Sequence, residues 1–270
     1  MKKQDKVISS SLSENLFLLV GWNRDTGKIA PEVLNFLNVT FASQKFSTID
    51  PLGFFSFEGV AVYENCIQFP ESAFFSCQRK DLIFFKSDQP EHEQYRFLNI
   101  MLETASQIGQ INELYTINGM VSQISHTDPR RMFAVFNRPE LHDMLQTYEL
   151  EGLTWEGPPA ISSFLLWLAG KKEIPGLSLW IEVPFYLAAV EDFQAIKLAL
   201  SFFDQRFNLN LDLSELNSKI IKQNEKIEQL RIKNKELDKY LGLLESGLGL
   251  KDEIKIKLVR DIYMYLKKDT

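Results

Sequence analysis

The stretch "NLFLLVGWNRDTG", residues 15–27, joins an apolar run to a turn. Residues 16–20 contain no polar side chain to mark a solvent face, the pattern of a strand covered on both sides. A strand of that kind belongs in a largely parallel sheet with helices on its faces. Gly21 permits a tight exit, Asn23 and Asp25 can hydrogen-bond the turn backbone, and Gly27 frees the chain to enter a helix. In open α/β sheets ligands gather outside the C-terminal ends of the strands. Trp22 and Asn23 are therefore candidate ligand-binding residues, with turn chemistry alone as the alternative.

Outward from this stretch the same alternation continues. Strands are predicted at 59–63, 81–86, 112–118, 131–136 and 177–183, and helices at 29–37, 91–109, 138–147, 159–172 and 191–206. In 91–109, Phe97, Met101, Ala105 and Ile108 share one face and Gly109 is placed to end the helix. Pro158 and Pro159 suit the first turn of the next helix. At Leu213 the texture changes to heptads, with Leu213, Ile220, Ile227, Asn234 and Leu241 at a and Leu216, Gln223, Leu230, Leu237 and Leu244 at d. That pattern suits a two-stranded coiled coil, and it equally suits a helix folded back on its own domain. Gly247 and Gly249 break it before a last amphipathic helix at about 253–267. The expected organisation is an α/β body at 1–212 and a helical extension at 213–270.

Charge divides along the same line. Residues 214–270 carry 13 Lys and Arg against 10 Asp and Glu, a net of +3, which leaves −9 for residues 1–213 of the total −6. An acidic body does not neutralise phosphates, so no nucleic-acid partner is expected. No apolar run approaches the roughly 20 residues of a membrane span, and "MKKQDKVISSSLSE" lacks an apolar leader core, so a cytoplasmic protein is expected. Cys66 and Cys77 have no metal-ligand spacing and read as reduced thiols rather than a disulfide.

Strong catalytic signatures are absent: no GxxxxGK[ST], GxGxxG, GxSxG, HExxH or paired CxxC occurs. Weaker constellations remain. In "ISHTDPRRMFAVF" (124–136), Asp128 beside His126 can raise and orient an imidazole base, and Arg130 or Arg131 can clamp an anion; a salt-bridged loop is the alternative. Glu156 and Gly157 precede a proline-started helix whose N-terminus can receive an anion, a role Glu156 can itself fill. In "GLSLWIEVPFY" (176–186), Glu182 ends a buried strand just before Pro184 and Tyr186, as a ligand-holding acid or a structural anchor.

Six segments in order resemble the proteasome assembly chaperone family of archaea, bacteria and eukaryotes. They are "GWNRDTG" (21–27), "IDPLGFFSF" (49–57), "SHTDP" (125–129), "WEGPPAI" (155–161), "PGLSLWIEVPFY" (175–186) and "LNLDLSEL" (209–216). The resemblance covers about residues 15–216. It implies a three-layer α/β/α sandwich like that of nucleoside phosphorylases, a helical C-terminal extension, and homo-oligomers. Some members carry an ATP-grasp label; neither a glycine-rich phosphate lid nor a magnesium-binding carboxylate pair is found here. Where the family pattern has Asp, Thr-Gly, His and a Pro/Arg pair, this chain has Arg24, Pro159-Ala160, Phe185 and Ser125/Asp128. Members that dock on proteasomes through a hydrophobic–Tyr–any tail differ from the Lys268-Asp269-Thr270 end, so that docking route is not expected.

The altered positions are the polar ones suited to chemistry. The expectation is a non-enzymatic, self-associating interaction or assembly-chaperone-like protein without cofactor or metal. The alternative is an enzyme or small-molecule binder for a nucleoside or phosphorylated ligand, its strand-end cleft lined by Trp22, Asn23, His126, Arg130, Glu156, Gly157, Glu182 and Tyr186.

Overall fold

A computed structural model describes residues 15–56, 60–63, 65–77, 80–154 and 160–267. The opening apolar run is β1 (Leu16–Trp22), and the pleat divides its side chains as predicted. Leu16, Leu18 and Val20 enter one apolar cluster and Leu19 the other. Such a strand needs cover on both faces and therefore sits at the centre. On one side it pairs in parallel with β6 (Leu82–Ser87), on the other with β7 (Ile111–Ser122), which in turn pairs in parallel with β10 (Gly176–Pro184).

The expectation of a largely parallel sheet holds only for these four central strands. The eight-stranded sheet is mixed, in the order β2-β5-β6-β1-β7-β10-β8-β9. β2 (Gln44–Ile49) and β5 (Ser72–Cys77) extend one side by antiparallel pairing, because the short link from β5 to β6 leaves no room for a crossover helix. On the other side β8 (Met132–Phe136) runs antiparallel to β10 and carries the two-residue β9 (Glu151–Gly152). The predicted strand at 59–63 belongs to a separate two-stranded hairpin, β3 (Ala61–Tyr63) with β4 (Cys66–Gln68), outside the main sheet.

Helices cover both faces. α1 (Ile29–Thr40) and α5 (Phe193–Phe207) bury Ile29, Leu34, Ala199 and Phe203 on one. α2 (Gln94–Ser106) and α4 (Ile161–Lys171) bury Phe97, Met101, Leu165 and Ala169 on the other. The segment predicted as one helix at 138–147 is a single 3₁₀ turn followed by the short α3 (Asp143–Thr147). α2 ends at Ser106, before the predicted stop at Gly109.

The heptad region forms α6 (Ser214–Lys233), α7 (Lys235–Glu245) and α8 (Asp252–Leu266). Asn234, which the heptad frame places at a core position, has φ −131° and ψ 92° and breaks the helix. Its side chain accepts the backbone N–H groups of Glu236 and Leu237 and so starts α7. Of the two alternatives, the fold-back arrangement is the one seen: Leu216, Ile227, Leu237, Leu241, Leu244, Leu258 and Ile262 are buried in the same apolar cluster as α1 and α5. Cys66 is exposed and Cys77 buried, and no disulfide joins them. Among the described residues no helix is long and apolar enough to cross a membrane.

Candidate functional site

The exit of β1 is held by three sets of hydrogen bonds. Trp22 is buried, and its indole N–H donates to Ser162 Oγ of α4 at 3.0 Å. Ser162 Oγ donates to Asn118 Oδ1 at 2.6 Å, and Asn118 Nδ2 donates to Ser178 Oγ and the Leu179 carbonyl, each at 3.0 Å. This buried chain stitches β1, β7, β10 and α4 together, each group satisfying the next. Asn23 donates its backbone N–H to the Ser87 carbonyl at 2.8 Å, while its buried Oδ1 accepts no hydrogen bond among the described residues.

Asp25 reaches further than its own turn. Oδ2 accepts the Ala30 N–H at 2.9 Å, in the first turn of α1, and Oδ1 accepts the Gly119 N–H of β7 at 2.8 Å. Burial lifts its carboxyl to about 6, against the pull of those backbone N–H groups. The turn lies directly on β7: a Cβ on Gly119 would stand 2.1 Å from the Thr26 carbonyl oxygen, so the contact requires glycine there. Gly27, at φ +67°, donates its N–H to the Ala188 carbonyl and accepts the Asp192 N–H, both at 2.9 Å.

The loop after β7 uses its charges internally. Arg130 is buried; Nε donates to Asp192 Oδ2 at 2.8 Å, and Nη1 donates to the carbonyls of Asp128 at 2.6 Å and Ser125 at 3.1 Å. Asp192 also caps α5 by accepting the N–H groups of Gln194 and Ala195. Asp128 does not pair with the imidazole; its Oδ2 accepts the Ser125 N–H at 2.7 Å. His126 is wholly buried, with Nδ1 3.0 Å from Tyr186 Oη, and the same hydroxyl accepts the His126 backbone N–H at 2.6 Å. Burial pushes the imidazole below its ordinary range, more than the nearby Glu228 carboxylate raises it. That direction is opposite to the one an Asp128 partner predicts.

Glu182 pairs with the other arginine. Arg131 Nε and Nη2 donate to its two oxygens at 2.9 Å each, a bidentate fork, and Ser122 Oγ donates to Oε1 at 2.9 Å. Burial pushes the Glu182 carboxyl up, but the Arg131 and Ser122 bonds outweigh it and hold the group below the usual carboxylate range. Arg131 itself remains exposed, lying over the Phe133 ring.

The six candidate residues that are described lie at separate places. His126, Arg130 and Tyr186 share a loop junction, Trp22 is sealed under α4, and Glu182 belongs to the end of β10. Glu156 and Gly157, with Pro158 and Pro159, lie outside the described residues. A cleft of about 440 Å³ opens between α2 and α4, lined by Gln89, Gln94, Ile161, Phe164 and Trp167. A groove of about 630 Å³ between α5 and α6 is bordered by Arg130, Leu198, Ile220 and Ile221. Asp192, Asn118 and Ser162 escaped the sequence reading. Asp192 had a signal, an acid directly before an apolar helical run. Among the described residues no cluster of three or more His, Cys, Asp or Glu is arranged to hold a metal ion.

Comparison with known proteins places this geometry. Residues 18–231 match the model of the PAC2 family. No curated protein matches the chain in sequence. Solved structures do. A proteasome-assembly chaperone homologue of Mycobacterium tuberculosis is 15% identical with a TM-score of 0.73, over 84% of this chain and 100% of that one. A PAC2 family protein of Streptomyces avermitilis is 20% identical with a TM-score of 0.69, over 79% and 95%. An archaeal proteasome activator of Pyrococcus furiosus is 19% identical with a TM-score of 0.67, over 82% and 95%. At such identities the likeness is one of fold.

Proposed function

The chain belongs to the PAC2 family, and from that premise we propose that it is a non-enzymatic, cytoplasmic interaction protein, assembly-chaperone-like and self-associating, that acts through its surfaces. One observation carries this reading. The side chains best suited to chemistry at the strand ends spend their hydrogen bonds inside the protein: Arg130 on Asp192, Glu182 on Arg131 and Ser122, Asp25 on backbone N–H groups, and Tyr186 on His126. Groups so engaged fix loops rather than receive a substrate. In this reading the body, 1–212, presents the interaction surfaces and the extension, 213–270, covers one face of it. Relatives described as a proteasome-assembly chaperone homologue and a proteasome activator favour a protein, rather than nucleic acid or membrane, as partner.

Self-association is supported by apolar surface without cover. The β3–β4 hairpin exposes Val62, Ile67 and Phe69, and an isolated two-stranded hairpin is marginal in water. On the α2–α4 face Trp167, 53% exposed, stacks on Phe164 with Tyr95 beside it. Light scattering of the purified protein tests this: a dimer or larger species is expected, reduced to monomer by Ile67→Glu or Trp167→Glu. A wild-type monomer at about 100 μM, where even a modest interface would assemble, removes self-association. The cleft beside Trp167 and the unpartnered Asn23 Oδ1 favour a second reading, a small-molecule site. A thermal-shift screen with nucleosides and nucleotides decides it, because ligand well above its dissociation constant stabilises by about 1–3 kcal/mol.

A further inference from the structure

The C-terminal helices meet the body at few polar points, and one of them is His126. Its Nε2 is buried without a hydrogen bond and lies 3.5 Å from Glu228 Oε1 of α6. Gln223 Nε2 to the Glu191 carbonyl, at 2.7 Å, and Leu250 N–H to Gln123 Oε1, at 3.3 Å, are further links across the same seam. Glu228 is also held by Arg231 Nη1 at 3.0 Å, and Arg231 binds Asp238 at 2.9 Å and Glu245 at 2.6 Å, which ties α6 to α7. We propose that His126 is the release point of a pH-sensitive latch: a second proton on its ring unfastens α6 and α7 from the body.

Every element around the ring bears on its charge. From its own loop come Ser125 and the Arg130 guanidinium, which donates to the His126 carbonyl at 3.4 Å. The turn after β10 brings Tyr186, and the start of α5 brings Asp192, paired with Arg130, and Gln194, which donates to the same carbonyl at 3.0 Å. α6 and α7 bring Glu228, Arg231, Asp238 and Glu245. Tyr186 Oη, 3.0 Å from Nδ1, already accepts the His126 backbone N–H, and Nε2 faces Glu228. A ring with a second proton carries N–H on both nitrogens, one against that hydroxyl and one toward Glu228. The resulting cation would be dry, flanked by two arginines, and opposed by a carboxylate already engaged by one of them. Separating α6 from the body admits water to the ring.

Protonation and opening are then linked. The latched state holds the ring below its ordinary value of 6.5, so its contribution is complete above that pH and is lost as pH falls through the latched-state value. Opening would uncover the turn Phe185–Leu187, on which α8 packs, and so present apolar surface. The apolar Phe185 suits that covered position.

Hydrogen exchange of the full chain, corrected for intrinsic rates, tests the latch between about pH 8 and pH 5.5, the range in which histidine titrates. Exchange across α6 and α7 is expected to rise at the lower pH, by up to about tenfold because pH 5.5 lies one unit below the free imidazole value, and to become pH-independent in His126→Gln. Flat exchange in the wild type, or the same rise in His126→Gln, overturns the proposal. Should His126→Gln not fold, proton NMR of the His126 ring replaces it. A midpoint below 6.5 that falls further in Glu228→Gln supports the latch, and a midpoint unmoved by that change overturns it.

Discussion

The two faces of the sheet are covered to different depths. Over α1 and α5 lies a second layer, α6 to α8, whose Ile227, Leu241 and Ile262 are buried in one continuous core with the strands. Over the opposite face α2 and α4 stand alone, and Trp167 and Tyr95 remain exposed, at 53% and 58%. The doubly covered face also holds the buried pair Arg130–Asp192 and the buried imidazole. The singly covered face holds the aromatic shelf and the cleft beside it. The two faces thus differ in how much apolar surface they leave exposed.

That contrast can be broken in order of expected effect. Arg130→Ala leaves Asp192 charged and buried, and should cost about 3–5 kcal/mol in chemical denaturation. A loss below about 1 kcal/mol would mean that the junction is wetter than it looks. Ile227→Ala opens a cavity in the second layer and should cost about 3 kcal/mol in the same single transition as the body. A separate early transition would show that the extension unfolds on its own.

Asp25 supplies a pH test. Its folded-state value, about 6, stands above the ordinary 3.8, so its contribution is complete below 3.8 and disappears as pH rises through 6. Between about pH 4 and pH 7 the wild type should lose roughly 2 kcal/mol relative to Asp25→Asn, measured by denaturant melts at each pH. A flat profile would place the carboxylate in water, and the reverse slope would mean that its N–H donors outweigh burial. Trp167→Glu is the smallest change in stability, within about 1 kcal/mol, because the ring is half exposed and loses only surface contacts with Phe164 and Lys171. A larger loss would show that the shelf is structural.

What the sequence revealed follows from where each signal is stored. β1 announces itself by a continuous apolar run, and β7 and β10 by their aromatic and β-branched residues. β2, "QKFSTI", lies at an edge, carries polar residues and is paired through a bulge, so its period is blurred. Asn234 shows the limit of local pattern: a polar residue at a heptad core position and an N-cap at a helix break look alike until the backbone is seen. The two arginines were legible as a pair, but which one turns inward depends on Asp192, 62 positions away, and on the fork at Glu182. Gly119 gave no local signal at all, since its role is set by a turn 90-odd residues earlier, beyond the range of any sequence pattern.

The meeting of Thr26 with Gly119 has a consequence for how the molecule can vary. Main chain rests on main chain there, so no rotamer change can make room for even one methyl group. The position works as a veto: an inserted side chain must push the first turn off its neighbouring strand and strip Asp25 of an N–H donor in the same motion. In a library that randomises every residue, that strand should tolerate change at its exposed end and almost none at this one hydrogen atom.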